Sequence, residues 1–223
     1  MGQPPPASVS IAAFLLALFL NVGLGPKVGS AADLASAAAV AQGGLAPARW
    51  AFSIWGIIYA LFATGYVVWA TGGCSPPLPW ALCAAWAANA AWLVASTSDR
   101  WTLSMGVLLL YLCAALAALP DLQPGSLHSS GMVLLNCATA VTCVWLVAAA
   151  ILNAQAVWPA AAPTLRAAAV PGVVLFAALL ASHSSGLAAN VPAFGTSLLA
   201  VTLWIAVATN TGSPTTEKGQ SAP

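Results

Sequence analysis

Little in this chain is equipped for acid–base or nucleophilic chemistry. Its carboxylates are Asp33, Asp99, Asp121 and Glu217, and its histidines are His128 and His183. Every carboxylate and His128 falls in a connecting segment or the tail, and only His183 lies near the end of an apolar run. No nucleophile–base–acid set can be assembled from such residues, so no catalytic residue is assigned. Cys74, Cys83, Cys113, Cys137 and Cys143 form no C-x-x-C pair and read as small apolar packing. Metal-ligand spacing is missing too, so no metal is expected. The chemistry left to the chain is neutral: indoles and amides set inside apolar segments.

The chain has ten tryptophans, and half lie where a membrane interface draws them. Trp50, Trp69, Trp80, Trp101 and Trp158 mark the ends of apolar runs, and Trp204 in the last run suits lipid contact. Trp55, Trp86, Trp92 and Trp145 lie inside. Asn89 sits between Trp86 and Trp92 at three-residue steps, which puts all three on one helix face. Asn136 and Asn153 share a run with Trp145. An amide in hydrocarbon must find a partner, either another helix or a bound molecule. An indole adds a flat apolar face with one donor. Aromatic walls with a few amides and no charge suit a flat, mostly apolar ligand rather than an ion. Bridging between helices is the alternative reading of each amide, and it suits Asn136 better than Asn89.

Apolar helices must carry these residues. The 223 residues are 61% hydrophobic and 4% charged, where a soluble domain carries about 25% charge. With a net charge of +1 there is no basic patch for nucleic acid. Seven runs are long enough to span a bilayer: Ser8 to Val22, Ala48 to Ala70, Pro79 to Thr97, Trp101 to Leu119, Ser130 to Gln155, Arg166 to Ser182 and Pro192 to Thr209. Lipid offers an open backbone no hydrogen-bond partner, so the spans are helices. Pro79 and Pro192 suit first-turn positions, and Pro171 either kinks the sixth helix or moves its start.

The first run could also be a cleaved secretory signal, but Lys27 follows it and no basic residue precedes it, which favours a retained segment. Loop one, about 25 residues long, is a candidate lid. Ser30-Ala31-Ala32-Asp33 reads there as a capping box opening a short surface helix over Leu34 to Gln42, although a plain linker fits equally.

Charge sets the orientation. Lys27, Arg49, Arg100, Arg166 and Lys218 fall in loops one, three and five and in the C-terminal tail. Under the positive-inside rule the N-terminus is exoplasmic or lumenal and the C-terminus cytosolic. Ion-coupled transporters keep ionisable groups at membrane depth because the coupling needs them, and none of the nine charged residues is near a helix middle. An energised pump is therefore not expected.

Residues 50 to 69, Trp50-Ala-Phe-Ser-Ile-Trp55-Gly-Ile-Ile-Tyr59 through Gly65-Tyr66-Val-Val-Trp69, resemble the second helix of the tryptophan-rich sensory protein or translocator protein family, also called TspO or the peripheral benzodiazepine receptor family. Asn89-Ala-Ala-Trp92 is similar to that family's N-x-x-W in helix three, and Trp145 through Leu152-Asn153 to its helix-five pattern. The resemblance covers the first five runs, to about residue 158. Ser53-Ile54-Trp55 replaces the family's usual proline-containing segment, Tyr59 and Trp69 stand one residue closer than in animal members, and the last two runs have no counterpart. These departures bear on ligand identity more than on the bundle.

The resemblance implies a cavity under loop one for porphyrins, other tetrapyrroles, sterols or lipophilic drugs. It implies ligand-binding roles for Trp55, Tyr59, Asn89, Trp92 and Trp145, and a homodimer, as in many members. Trp86 joins the ligand-binding set by sharing the face of Asn89.

The expected fold is an all-α integral membrane helical bundle. A TspO-like five-helix core occupies residues 1–158, with loop one at about 23–47. Two additional transmembrane helices follow over 159–210, then a disordered cytosolic tail over 211–223. The expected function is a multi-pass receptor, carrier or scavenger for a flat apolar ligand of the tetrapyrrole or sterol class, without ion coupling. A facilitative small-solute permease and a non-catalytic membrane scaffold are the alternatives; the resemblance leaves enzymatic turnover of a bound pigment open, although no residue here demonstrates it. Its expected partners are the lipid membrane and a small apolar ligand.

The charge pattern makes a direct prediction about topology. In a cysteine-free background, Arg100→Cys and Arg166→Cys should react with an impermeant maleimide from the same face of the membrane. Labelling from opposite faces would overturn the assignment.

Overall fold

The computed structural model describes residues 7–41, 43–45, 49–72, 77–98, 100–122, 130–183, 201–202 and 205. Among them are six α-helices and no strand: α1 (Ala7–Ala41), α2 (Ile54–Thr71), α3 (Trp80–Ser96), α4 (Trp101–Ala118), α5 (Ser130–Val157) and α6 (Ala162–His183). Short 3-10 turns at Arg49–Ser53 and Pro159–Ala161 lead into α2 and α6. Segments within α1, α4, α5, and those reaching into α2 and α6, are each long and apolar enough to cross a membrane. The remaining helix, α3, is apolar but has 17 residues, at the short end of the spanning range.

Two expectations change at helix starts. Residues 23–41, expected as a loop with its own capping box, are helical and continuous with α1. Pro26 lies inside that helix, and the alanine-rich sequence beyond it propagates helix without needing a fresh start. The sixth helix begins at Ala162 rather than Arg166. Pro163 falls in its first turn, where a missing donor costs nothing, and Pro171 is contained within the helix rather than moving its start. The seventh expected helix lies outside the described residues apart from Val201, Thr202 and Ile205, which are helical. Cys74, His128 and the tail over 211–223 also lie outside them.

The fifth helix is the centre of the bundle. It packs against α1, α2, α4 and α6, while α3 packs between α1 and α4. It is buried over most of its length, whereas the other helices keep an outer face of residues such as Leu15, Phe19, Val67, Leu110 and Leu175. That division suits a helix surrounded by protein within a ring of lipid-facing neighbours. Lys27, Arg100 and Arg166 are exposed: Lys27 lies within α1 at the end of its apolar span, Arg100 just before α4 and Arg166 near the start of α6. No Asp, Glu, Lys, Arg or His is among the described buried residues.

Glycine sets how closely α2 approaches α5. A Cβ on Gly65 would lie 2.9 Å from Leu135 Cδ2 and 3.2 Å from the Leu135 backbone nitrogen. One on Gly131 would run into the backbone of Trp69. Trp69 is thereby turned inward and buried, although its place at a helix end had suggested the interfacial belt. Trp50, Trp80 and Trp158 do remain exposed at helix ends. Polar side chains add cross-links, among them three to α5. Ser104 Oγ donates to Asn153 Oδ1 at 3.0 Å, Asn136 Nδ2 donates to the Leu119 carbonyl at 3.2 Å, and the Leu45 amide donates to Gln155 Oε1 at 2.6 Å.

The two glycine classes should separate on substitution. Gly131→Ala pushes α5 off the α2 backbone and should cost about 1–3 kcal/mol, the usual range for overpacking. Gly106→Ala on α4 meets nothing within 4 Å and should be neutral or slightly stabilising. Thermal unfolding of both variants in detergent checks the contrast.

Candidate functional site

Large aromatics line one edge of α2. Trp55, Tyr59, Phe62, Tyr66 and Trp69 follow one another at alternating steps of four and three residues and are all buried. That spacing keeps them in one stripe along the helix. The stripe meets Trp86, Asn89 and Trp92 of α3, which share a face for the same reason. The α2 and α3 backbones do not approach each other as α2 and α5 do. Ring and amide groups fill the interval between them.

Polar satisfaction divides this aromatic layer into two parts. The first surrounds Trp86. Its indole Nε1 donates to Tyr66 Oη at 3.1 Å. Phe62 and Phe14 of α1 pack against it at ring-centroid distances of 4.6 and 5.0 Å, both edge-on. Tyr59 stacks on it at 5.9 Å. The Trp86 indole is closed in on these sides and its donor is used, as expected of a packing residue.

The second part is centred on Trp55. Trp92 lies 5.5 Å from it, Trp145 of α5 meets it edge-on at 6.3 Å, and Tyr111 of α4 stacks at 6.5 Å with 16° between the planes. Tyr59 joins the two parts, 6.1 Å from Trp55, and its hydroxyl donates to Asn89 Oδ1 at 2.8 Å. Four buried polar atoms in this group have no partner among the described residues: Asn89 Nδ2, Trp92 Nε1, Tyr111 Oη and Trp145 Nε1. An unsatisfied buried donor costs about 1–3 kcal/mol, and native folds leave few of them. Four around one tryptophan are a concentrated cost.

The structure therefore brings Trp55, Tyr59, Trp86, Asn89, Trp92 and Trp145 into one buried layer from three helices. Trp86 falls on the satisfied side of it. The other two amides bridge helices: Asn136 Nδ2 reaches the end of α4, and Asn153 accepts from Ser104 while its Nδ2 returns to the Ala149 carbonyl. Tyr111, Phe14 and Phe52 were not expected. Phe52 meets Trp145 edge-on at 6.3 Å from the turn preceding α2. Tyr111 carried a usable signal, since a tyrosine in mid-helix has no interfacial role to explain it. The described residues contain no group of three or more His, Cys, Asp or Glu side chains able to hold a metal.

A protein-family model described as TSPO-like protein matches residues 7–215. The match takes in nearly the whole chain, which therefore belongs to that family. It also runs past residue 158, where the motif resemblance stops, and through α6. No curated protein and no solved structure matches.

Two tyrosine-to-phenylalanine variants should separate the parts of the layer. Tyr66→Phe strands the Trp86 donor and should lower stability by about 1–3 kcal/mol. Tyr111→Phe removes a hydroxyl that has no partner, so its protein should be at least as stable as the parent. Denaturant unfolding in a fixed detergent measures both.

Proposed function

We propose that this member of the TSPO-like family is a membrane receptor, carrier or scavenger binding a flat apolar ligand of the tetrapyrrole or sterol class. Trp55, Trp92 and Trp145 are its ring faces, and Tyr59 holds Asn89 so that the amide nitrogen is directed to the guest's polar edge. Trp86 supports this arrangement from behind. The observation carrying the reading is the buried aromatic group around Trp55, in which Asn89 Nδ2 and the indole nitrogens of Trp92 and Trp145 find no partner among the described residues. A guest among these rings gains from apolar burial and stacking, and it relieves the cost of bare polar atoms.

Ion coupling has no part in this mechanism. The proposal carries no coupled ion, so any movement of the guest follows its own gradient. The N-terminus is exoplasmic or lumenal and the C-terminus cytosolic, in keeping with the positions of Lys27, Arg100 and Arg166. A homodimer is the proposed assembly.

Tryptophan fluorescence quenching of the purified protein by a porphyrin and by a sterol tests the site. Trp92→Ala and Asn89→Ala should insert normally and bind about tenfold more weakly or worse, the effect of losing roughly 1.4 kcal/mol of contact. Trp80→Ala, at an exposed helix end, should bind as the parent does. Unchanged porphyrin and sterol affinities in both site variants would remove the assignment.

A further inference from the structure

The atoms around Trp55 differ in the kind of hydrogen bond they offer. Asn89 Nδ2, Trp92 Nε1 and Trp145 Nε1 can only donate. The acceptor end of Asn89 is already occupied by the Tyr59 hydroxyl. Tyr111 Oη alone can either donate or accept, and it lies beside Trp55 on the face that stacks. Around Trp55 the unpartnered groups thus hold several hydrogens and at most one acceptor; the remaining unpartnered atom, Asn136 Oδ1, belongs to the amide that reaches the end of α4.

Resting on the binding site proposed above, the geometry points to a donor-lined site that selects a planar guest with acceptor groups at its edge. Ring carbonyls, lactam oxygens and aromatic ring nitrogens have this chemistry. Tyr111 is the specificity-determining residue within it. A guest whose edge carries only ring N–H or arylamine hydrogens sets donor against donor. A bare hydrocarbon of the same outline leaves every donor stranded. A site built to hydrogen-bond a group discriminates strongly against an analogue that lacks it, because its own polar atoms then stay buried and unpaired. This requirement orders the candidate ligands by edge chemistry rather than by ring size. It also gives a role to an α4 side chain that matches no motif residue.

The test uses rings of one shape. Anthracene, 2-aminoanthracene and 9,10-anthraquinone are titrated against the full-length protein in detergent, with intrinsic tryptophan fluorescence as readout. Anthraquinone should bind at least about tenfold more tightly than either of the others, the equivalent of one or two net hydrogen bonds. Tyr111→Phe should reduce that preference roughly fivefold while leaving anthracene affinity unchanged, and the variant's unfolding midpoint shows that it still folds. Equal binding of all three rings by the parent would overturn the donor rule alone, leaving an apolar site intact. A Tyr111→Phe variant that weakens anthracene and anthraquinone by the same factor would also overturn it. No saturable binding of any ring, together with no porphyrin or sterol response, would sink both this inference and the proposed site.

Discussion

A donor buried in a bilayer has no water to turn to, so each polar atom in the bundle depends on the chain or on a guest. That constraint orders the interior of this protein. Asn153, Ser104, the Asn136 amide nitrogen and the Trp86–Tyr66 pair are spent on joining one helix to the next, and Gln155 on holding the segment that follows α1. The atoms around Trp55 are not. Hydrophobicity cannot make this distinction, because Trp86 and Trp92 are both buried tryptophans on one face of one helix. What separates them is whether the indole hydrogen has somewhere to go.

Backbone spacing provides the room in which this happens. Gly65 and Gly131 let α2 and α5 close on each other, which fixes one side of α2. On the adjoining flank Tyr59, Phe62 and Tyr66 keep α3 at side-chain distance. Small residues on one flank and large ones on the other place a layer of rings inside the bundle rather than against lipid. Close approach at glycine is the usual way for membrane helices to gain packing contacts. Here it also decides which way the rings must face.

The sequence made the membrane class and most helix boundaries readable, for physical reasons that differ by element. Pro79 before Trp80, the start at Trp101 and the start at Ser130 are all marked by local chemistry, and the helices begin there. The extension of α1 to Ala41 was not readable, because Pro26 and the capping-box pattern at Ser30 to Asp33 both signal a break, while the alanines beyond suit continuation and a separate helix alike. Of the candidate site, the positions on α2, α3 and α5 were visible as tryptophans and an amide at helical spacing. Phe14 was not, and Tyr111 was marked only as a tyrosine in mid-helix, with no sign of its neighbours. They lie in helices that are apolar all round, where periodicity gives no inward face, and only the packed arrangement shows which way they point. Trp69 was misread for a related reason: its position at a helix end matched the interfacial habit of tryptophan, while the inward turn depends on Gly131 sixty-two residues later.

The central place of α5 has a consequence for biogenesis. Ribosomes deliver the chain from its N-terminus, so α1 to α4 enter the membrane before the helix against which three of them pack has been made. Until residues 130 to 157 emerge, Trp69 has no glycine to rest on, Trp55 lacks Trp145, and the Leu45 amide lacks Gln155. Threading and assembly are therefore separate stages, and the nascent intermediate carries exposed polar groups and loose rings into lipid. Quality control that surveys half-built membrane proteins would meet its most vulnerable substrate just before the fifth segment arrives.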